Sequence, residues 1–246
     1  MSQGFLGIQW RSAVARACGD AGVRRLVFLS SIAVYGRSRP RIDDQSVRHP
    51  EDDYGWSKLE AEDAVQFELS RGATDWCILR PPLVYGQGSP GNMPRLETLV
   101  ASGLPLPFGG IRNRRSYIFV DNLIDAIITV LRYPSDIRAS YVLSDGSDLA
   151  TPDLVSALAA ASRRQVRLLN VPVPILETLG RAGDLAARVL GRRIGLDSRS
   201  INRLVGSLVV DSSRFRAVFA WHPPVESARA FMLTYGTQPC SPTEGG

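Results

Sequence analysis

Apolar residues recur at Val14, Ala17, Cys18 and Ala21, the i, i+3, i+4, i+7 spacing of one helix face. Gly22 follows as the residue expected to close that helix. The next apolar run, LVFL at residues 26–29, has arginines before it and small residues after it. It predicts a strand buried on both faces, as parallel strands are. A polar loop carrying proline spans Arg37 to Asp53, and residues 54–70 predict a helix with Ala61, Ala64, Val65 and Leu69 on one face. DWCILRPPLVYG, residues 75–86, predicts the next strand. Helix, buried strand, loop, helix and buried strand together predict an α/β domain with a parallel sheet and right-handed crossovers.

Beyond residue 86 the pattern changes, and glycine, proline and short apolar pieces alternate up to Arg115. A helix is predicted over MPRLETLVASG within this stretch. SYIFVDN then leads into a helix that aligns Leu123, Ala126, Ile127, Val130 and Leu131. SYVLSDG predicts a strand. Thr151 and Pro152 read as N-cap and first residue of a helix with Leu154, Ala157, Leu158 and Ala161 on its face. RQVRLLNVPVP predicts a strand and residues 174–190 a helix, while 237–246 reads as a disordered tail.

Composition narrows the function classes. With 44% hydrophobic and 22% charged residues, the 246-residue chain has the balance of a soluble globular protein. Its net charge of +5 is spread along the sequence, which suits anionic substrates better than nucleic acid. Cys18, Cys77, Cys240, His49 and His222 form no metal-ligand spacing, and a reducing cytoplasm fits the cysteine usage. MSQGFLGIQWRSAV has no apolar core of a signal peptide, and no stretch is apolar enough to span a bilayer. Of 29 basic residues 28 are arginine, so Lys58 is the single lysine. Arginine does not replace lysine where a compact ammonium is required.

Two motifs carry candidate chemistry. Gly86, Gly88 and Gly91 in VYGQGSPGN have the G-x-G-x-x-G spacing of a dinucleotide turn. Pro90 lacks the N–H such a phosphate cradle wants, and no acidic residue follows at the ribose-reading distance. Tyr54 and Lys58 lie four apart, one helical turn, on one face. An ammonium beside a phenol favours the phenolate, which makes tyrosine usable as a general acid or base near neutral pH. Ser31 stands just past a strand end, the edge at which parallel sheets bind ligands.

VFLSSIAVYG, YGWSK, LRPPLVYGQG and RSYIFVDNLIDAI together resemble the extended short-chain dehydrogenase/reductases, and within them the NAD-dependent epimerase/dehydratase group acting on nucleotide sugars. The resemblance runs from about Val14 to about Pro224, with the motifs in family order. It implies a doubly wound (Rossmann-like) parallel sheet, a smaller C-terminal substrate domain, and a Ser-Tyr-Lys triad beside a nicotinamide. By that match Tyr54 is the acid/base, Lys58 assists it and holds the nicotinamide ribose, and Ser31 is the hydroxyl partner. Ser30, Pro81 and Leu83 would line the cofactor. Asn92, Phe108, Arg115 and Arg203 would bind the substrate, Arg115 through its fork on a diphosphate. Sugar 4,6-dehydratases of this group carry Thr-Asp-Glu where this chain has Ser31, Ile32 and Ala33. The resemblance therefore implies a C4 epimerase or 4-keto reductase on a UDP-hexose or UDP-N-acetylhexosamine, using NAD or NADP; by analogy with the family it also implies a homodimer.

The family's Gly-rich cofactor turn precedes the segment that matches here. The expected architecture is an N-terminally truncated version of the sheet, short by about one βαβαβ half. Residues 1–86 with 116–148 would form the rest of the dinucleotide-binding domain, and 87–115 with 149–236 the substrate region. Loss of the turn removes the pyrophosphate cradle and counts against cofactor binding by this chain alone. Three readings follow: a wrong start or gene fragment of an enzyme, a chain completed by a partner chain, or a cofactor-free binding module for nucleotide sugars.

Overall fold

Strand β1 (Arg25–Leu29) alternates its side chains between two buried layers, and this alternation organises the first part of the molecule. The computed structural model describes residues 12–36, 39–89, 93–190 and 198–236. These fall into two compact units, one drawn from residues 1–84, 116–148 and 208–225, the other from 85–115, 149–207 and 226–246.

In the first unit β1 pairs in parallel with β3 (Asp75–Arg80), and β3 in parallel with β6 (Arg138–Val142). Leu26, Phe28 and Trp76 point to one face, where Ala15 of helix α1 (residues 12–20) and Val65 and Leu69 of α2 (Asp53–Glu68) with its C-cap cover them. Val27, Cys77 and Leu79 point to the other face, against Leu123, Ala126 and Val130 of α4 (Val120–Arg132) and Phe215, Phe219 and Trp221 of the α8 region (Ser213–Phe219). Helices on both faces of a parallel sheet are the α/β arrangement the apolar pattern predicts. Residues 208–225, which the sequence alone groups with the second region, join this unit because their aromatic residues complete its core.

Two shorter features shape the C-terminal ends of these strands. After β1 the chain makes one turn of 3-10 helix, Ile32–Tyr35. The polar loop beyond it holds a two-residue strand, β2 (Arg41–Ile42), parallel to β8 (Val209–Val210). Ile32, Val34, Tyr35, Ile42, Leu208 and Val210 form a small core there, so the turn is packed in place.

The chain passes between the units within β4 (Leu83–Tyr85), β5 (Arg115–Phe119) and β7 (Asp148–Leu149). In the second unit α5 (Thr151–Ala161) packs against α3 (Met93–Ala101) and α9 (Ser227–Tyr235), and α6 (Val173–Leu190) against α7 (Ser198–Val205). Gly180 allows that last approach, since a Cβ there would lie 3.0 Å from Ser198 Cα.

Two local expectations are corrected. RQVRLLNVPVP does not form a strand: one bridge, Leu106 to Leu168, pairs it. Gly109 and Gly110 instead press against the Leu169 and Val171 carbonyls, and Pro172 and Pro174 supply no N–H to extend a ladder. Thr151 is the first residue of α5 rather than its cap, which is Ala150. Its hydroxyl is used elsewhere, donating to the Leu204 carbonyl at 2.6 Å, while its N–H donates to Asn113 Oδ1 at 2.8 Å.

Candidate active site

Ser30 and Ser31 follow β1 directly, at the C-terminal end of the parallel sheet. The Ser30 N–H continues the ladder to the Leu79 carbonyl at 2.8 Å, and the Ile32 N–H donates to the Pro81 carbonyl at 3.1 Å. Ser31 is the N-cap of the 3-10 turn, its Oγ accepting from the Ala33 N–H at 3.2 Å. Acceptance uses a lone pair and leaves the hydroxyl proton for another acceptor. Ser30 Oγ is buried without a hydrogen-bond partner.

Helix α2 brings the second part of the site to this turn. Asp52 caps it, accepting from the Gly55 N–H at 2.8 Å. Gly55 lies so close to the turn that a Cβ would stand 2.6 Å from the Ala33 carbonyl oxygen. Tyr54 therefore starts its helix beside the Ser31 turn and stays 54% exposed. Lys58, one turn on, donates from Nζ to the Leu29 carbonyl at 3.0 Å. The same Nζ lies 5.8 Å from the Tyr54 ring centroid and 5.5 Å from that of Phe28, within cation–π range of both. Pro81 is buried at the end of β3 and Leu83 is half-buried at the start of β4.

A buried polar cluster that motif reading passes over lies behind these residues. Arg80, the last residue of β3, donates from Nε and Nη2 to the two carboxylate oxygens of Glu62 at 2.8 and 2.6 Å. Its Nη1 donates to Tyr35 Oη at 2.6 Å. Burial pushes the Tyr35 hydroxyl above its usual pKa, with Arg80 opposing that shift. For Arg80, burial acts to lower the pKa, and the Glu62 carboxylate outweighs it so that the net shift is upward. The available signal was Glu62 itself, an acid four residues past Lys58 on the inward helix face, with an arginine ending an apolar strand.

The expected substrate ligands lie in the second unit, except Asn92, which falls outside the described residues. Phe108 is buried, 4% exposed, in a turn whose carbonyl accepts from the Ile111 N–H at 3.2 Å. Arg115 Nη1 donates to the carbonyls of Arg203 and Gly206 at 2.8 and 3.1 Å. Arg115 and Arg203 are thus neighbours, joined through backbone. The stretch holding Gly86 and Gly88 is where the chain enters the second unit; Gly88 takes the left-handed backbone at φ 73°.

A sequence model of the NAD dependent epimerase/dehydratase family matches residues 8–144, more than half of the chain. The chain belongs to this family. UDP-glucose 4-epimerase of Vibrio cholerae is 34% identical over 227 residues, covering 90% of this chain and 65% of that protein. N-acetyl-alpha-D-glucosaminyl-diphospho-ditrans,octacis-undecaprenol 4-epimerase of Escherichia coli is 24% identical, covering 85% and 64%. The chain therefore spans about two thirds of the length of these relatives. Among solved structures, UDP-glucuronic acid 4-epimerase from Bacillus cereus in complex with NAD superposes with a TM-score of 0.70 at 16% identity, covering 93% of this chain and 66% of that one. UDP-N-acetylglucosamine 4-epimerase from Bacillus cereus superposes at 0.67 with 14% identity, covering 90% and 68%. These likenesses carry the fold: the epimerase family's α/β arrangement. No helix among the described residues is long and apolar enough to cross a membrane.

The family's cofactor can be tested against the residues present. Ser30, with a buried hydroxyl lacking a partner, and Lys58, with an ammonium held at the same strand end, suit the nicotinamide-ribose end of NAD. Among the described residues no glycine-rich turn follows a strand of the β1-β3-β6 sheet to cradle a pyrophosphate.

Proposed function

We propose that this chain carries the acid/base site of an NAD(P)-dependent nucleotide-sugar C4 epimerase or 4-keto reductase, acting on a UDP-hexose or UDP-N-acetylhexosamine. The observation that supports this most is the placing of Tyr54 and Lys58 on one helix face against the Ser31 turn, with Lys58 tied to the end of β1.

Tyr54 takes the proton of the C4 hydroxyl and returns it to the C4 oxygen when the ketone is reduced. Ser31 donates its hydroxyl proton to the same oxygen. The Lys58 ammonium supplies positive charge beside the phenol, and with Ser30, Pro81 and Leu83 it would hold the nicotinamide ribose. Bound NAD or NADP supplies the hydride exchange at C4. Arg115, with Asn92, Phe108 and Arg203, would meet the nucleotide and its diphosphate, a bidentate fork being suited to that charge. Ile32 and Ala33 offer no acid for eliminating water, so the chemistry stops at oxidation and reduction of C4.

The test is incubation of the protein with UDP-glucose and NAD, with the C4 configuration followed by proton NMR. Inversion at C4 that falls about 10²–10⁴-fold in Tyr54→Phe supports the reading. Equal inversion in both proteins overturns it. A second reading is a nucleotide-sugar-binding module without turnover, resting on the neighbouring Arg115 and Arg203 of the second unit. Calorimetric binding of UDP-glucose with no inversion under saturating NAD and NADP would establish it.

A further inference from the structure

We propose that Arg80, Glu62 and Tyr35 form a clamp that positions Tyr54 and Lys58 against the Ser31 turn, with Arg80 and Glu62 as positioning residues. As a claim about catalysis this rests on the roles proposed above for Tyr54 and Lys58. As a claim about geometry it can be read without turnover.

One guanidinium joins three elements. Arg80 belongs to β3, Glu62 to α2, and Tyr35 is the last residue of the 3-10 turn that Ser31 opens. All three are buried, with Glu62 at 0%, Tyr35 at 1% and Arg80 at 4% exposure. Both carboxylate oxygens of Glu62 are taken by the fork, at 2.8 and 2.6 Å, which fixes direction as well as distance. The third contact, Nη1 to Tyr35 Oη at 2.6 Å, is backed by the guanidinium lying 5.2 Å from the Tyr35 ring centroid.

The clamp acts along the stripe that holds the acid/base pair. Tyr54, Lys58 and Glu62 are successive i, i+4 positions, so anchoring Glu62 sets the rotation and axial position of the other two. The residue after Arg80 is Pro81, whose carbonyl accepts from the Ile32 N–H at 3.1 Å. The end of β3 thereby holds the Ser31 turn by backbone and α2 by side chain. Arg48 adds a looser contact from the loop, 3.4 Å from Glu62 and 2.9 Å from Asp63. Burying an ion pair seldom stabilises a fold more than apolar packing of the same shape would. Its use here is geometric.

Lys58 is the sole lysine, so it reports on itself. Reductive methylation with 13C-formaldehyde labels Lys58 and the terminal amine, and the Lys58→Arg variant, which keeps only the terminal signal, assigns the two. The probe is applied to wild type, Tyr35→Phe, and the paired variant Glu62→Met/Arg80→Met, which leaves no lone buried charge. A control pair, Arg25→Met/Asp75→Asn, removes another buried ion pair at the opposite end of the same strands. The expected result is a Lys58 signal moved towards that of free dimethyl-lysine in the Met pair, moved part of the way in Tyr35→Phe, and unmoved in the control. Where turnover is measurable, kcat falls about 10²-fold in the Met pair, the scale of a 1 Å misplacement, with KM for UDP-glucose little changed. A Lys58 signal unmoved in the folded Met pair, or moved equally in the control, overturns the proposal. Should the Met pair fail to fold, an unmoved signal in Tyr35→Phe overturns it. Unchanged turnover in Tyr54→Phe would sink the catalytic reading and leave this measurement intact.

Discussion

The ammonium of Lys58 lies 3.0 Å from the carbonyl oxygen of Leu29, so the only lysine of the chain is tied to the strand end that leads into Ser30 and Ser31. An ammonium on a flexible stem reaches that carbonyl and still lies over the Tyr54 ring. A planar guanidinium on a longer side chain does not reproduce both contacts. Lys58→Arg is therefore expected to lose nearly as much C4 inversion as Lys58→Met, about 10²-fold or more, with the far-UV spectrum unchanged. Wild-type turnover in Lys58→Arg would show that charge alone suffices.

Gly55 makes a second sensitive point. Glycine to alanine inside a helix normally stabilises by about 0.5–1 kcal/mol. Here the new Cβ would stand 2.6 Å from the Ala33 carbonyl oxygen and 3.1 Å from Pro50 Cβ. Gly55→Ala should instead destabilise by about 1–3 kcal/mol, the cost of overpacking, and should push Tyr54 away from the Ser31 turn. Urea unfolding measures the first effect and C4 inversion the second. A stabilised variant with full activity would contradict the packing described.

Asp44 gives a pH dependence of defined sign. Burial pushes its carboxyl above the usual range, opposed by the bond from the Val142 N–H and by Arg214 and Arg80. Because the folded pKa is raised, the folded state favours the protonated acid. The charged form thus costs stability once the pH exceeds the folded pKa, and that cost disappears as the pH falls below the unfolded value of 3.8. Asparagine keeps an oxygen to accept from the Val142 N–H, which now donates to Asp44 Oδ1 at 2.6 Å. Asp44→Asn should be more stable than wild type at pH 7 in urea unfolding, with the two converging below pH 3.8. A variant less stable at pH 7 would show that the ion pair with Arg214, 3.7 Å away, outweighs the cost of burial.

The pair Arg25 and Asp75 should behave as a structural lock. It lies at the N-terminal end of β1 and β3, 3.1 Å apart, with side chains 2% and 4% exposed. Arg25 also donates to the carbonyls of Val130, Tyr133 and Ser135. Arg25→Met leaves Asp75 buried without its cation, and the expected loss is about 3–5 kcal/mol. Denaturant midpoints measure it. A loss under about 1 kcal/mol, the scale of a surface pair, would contradict the burial described.

The apolar pattern predicted the parts of the fold in which burial and periodicity agree. LVFL lies inside β1, and the helix predicted over 54–70 is α2 at Asp53–Glu68. Tyr54 and Lys58 were readable because helical spacing alone puts them on one face. The strand predicted over RQVRLLNVPVP failed because alternation there reflects contact with a glycine turn, which local pattern does not encode. Local pattern makes Thr151 a cap, but the partner of its hydroxyl, the Leu204 carbonyl, is distant in sequence. Glu62 and Arg80 escaped for the same reason: each reads as a solvated charge until the other is brought beside it.

On the proposed function, Tyr54 exchanges a proton at the sugar C4 oxygen. The most direct test compares wild type with Tyr54→Phe for inversion of UDP-glucose at C4 under saturating NAD, with UDP-glucose affinity measured by calorimetry on the same samples. Inversion is expected to drop about 10²–10⁴-fold in Tyr54→Phe while affinity stays within a few-fold. Inversion at the wild-type rate in Tyr54→Phe would contradict it.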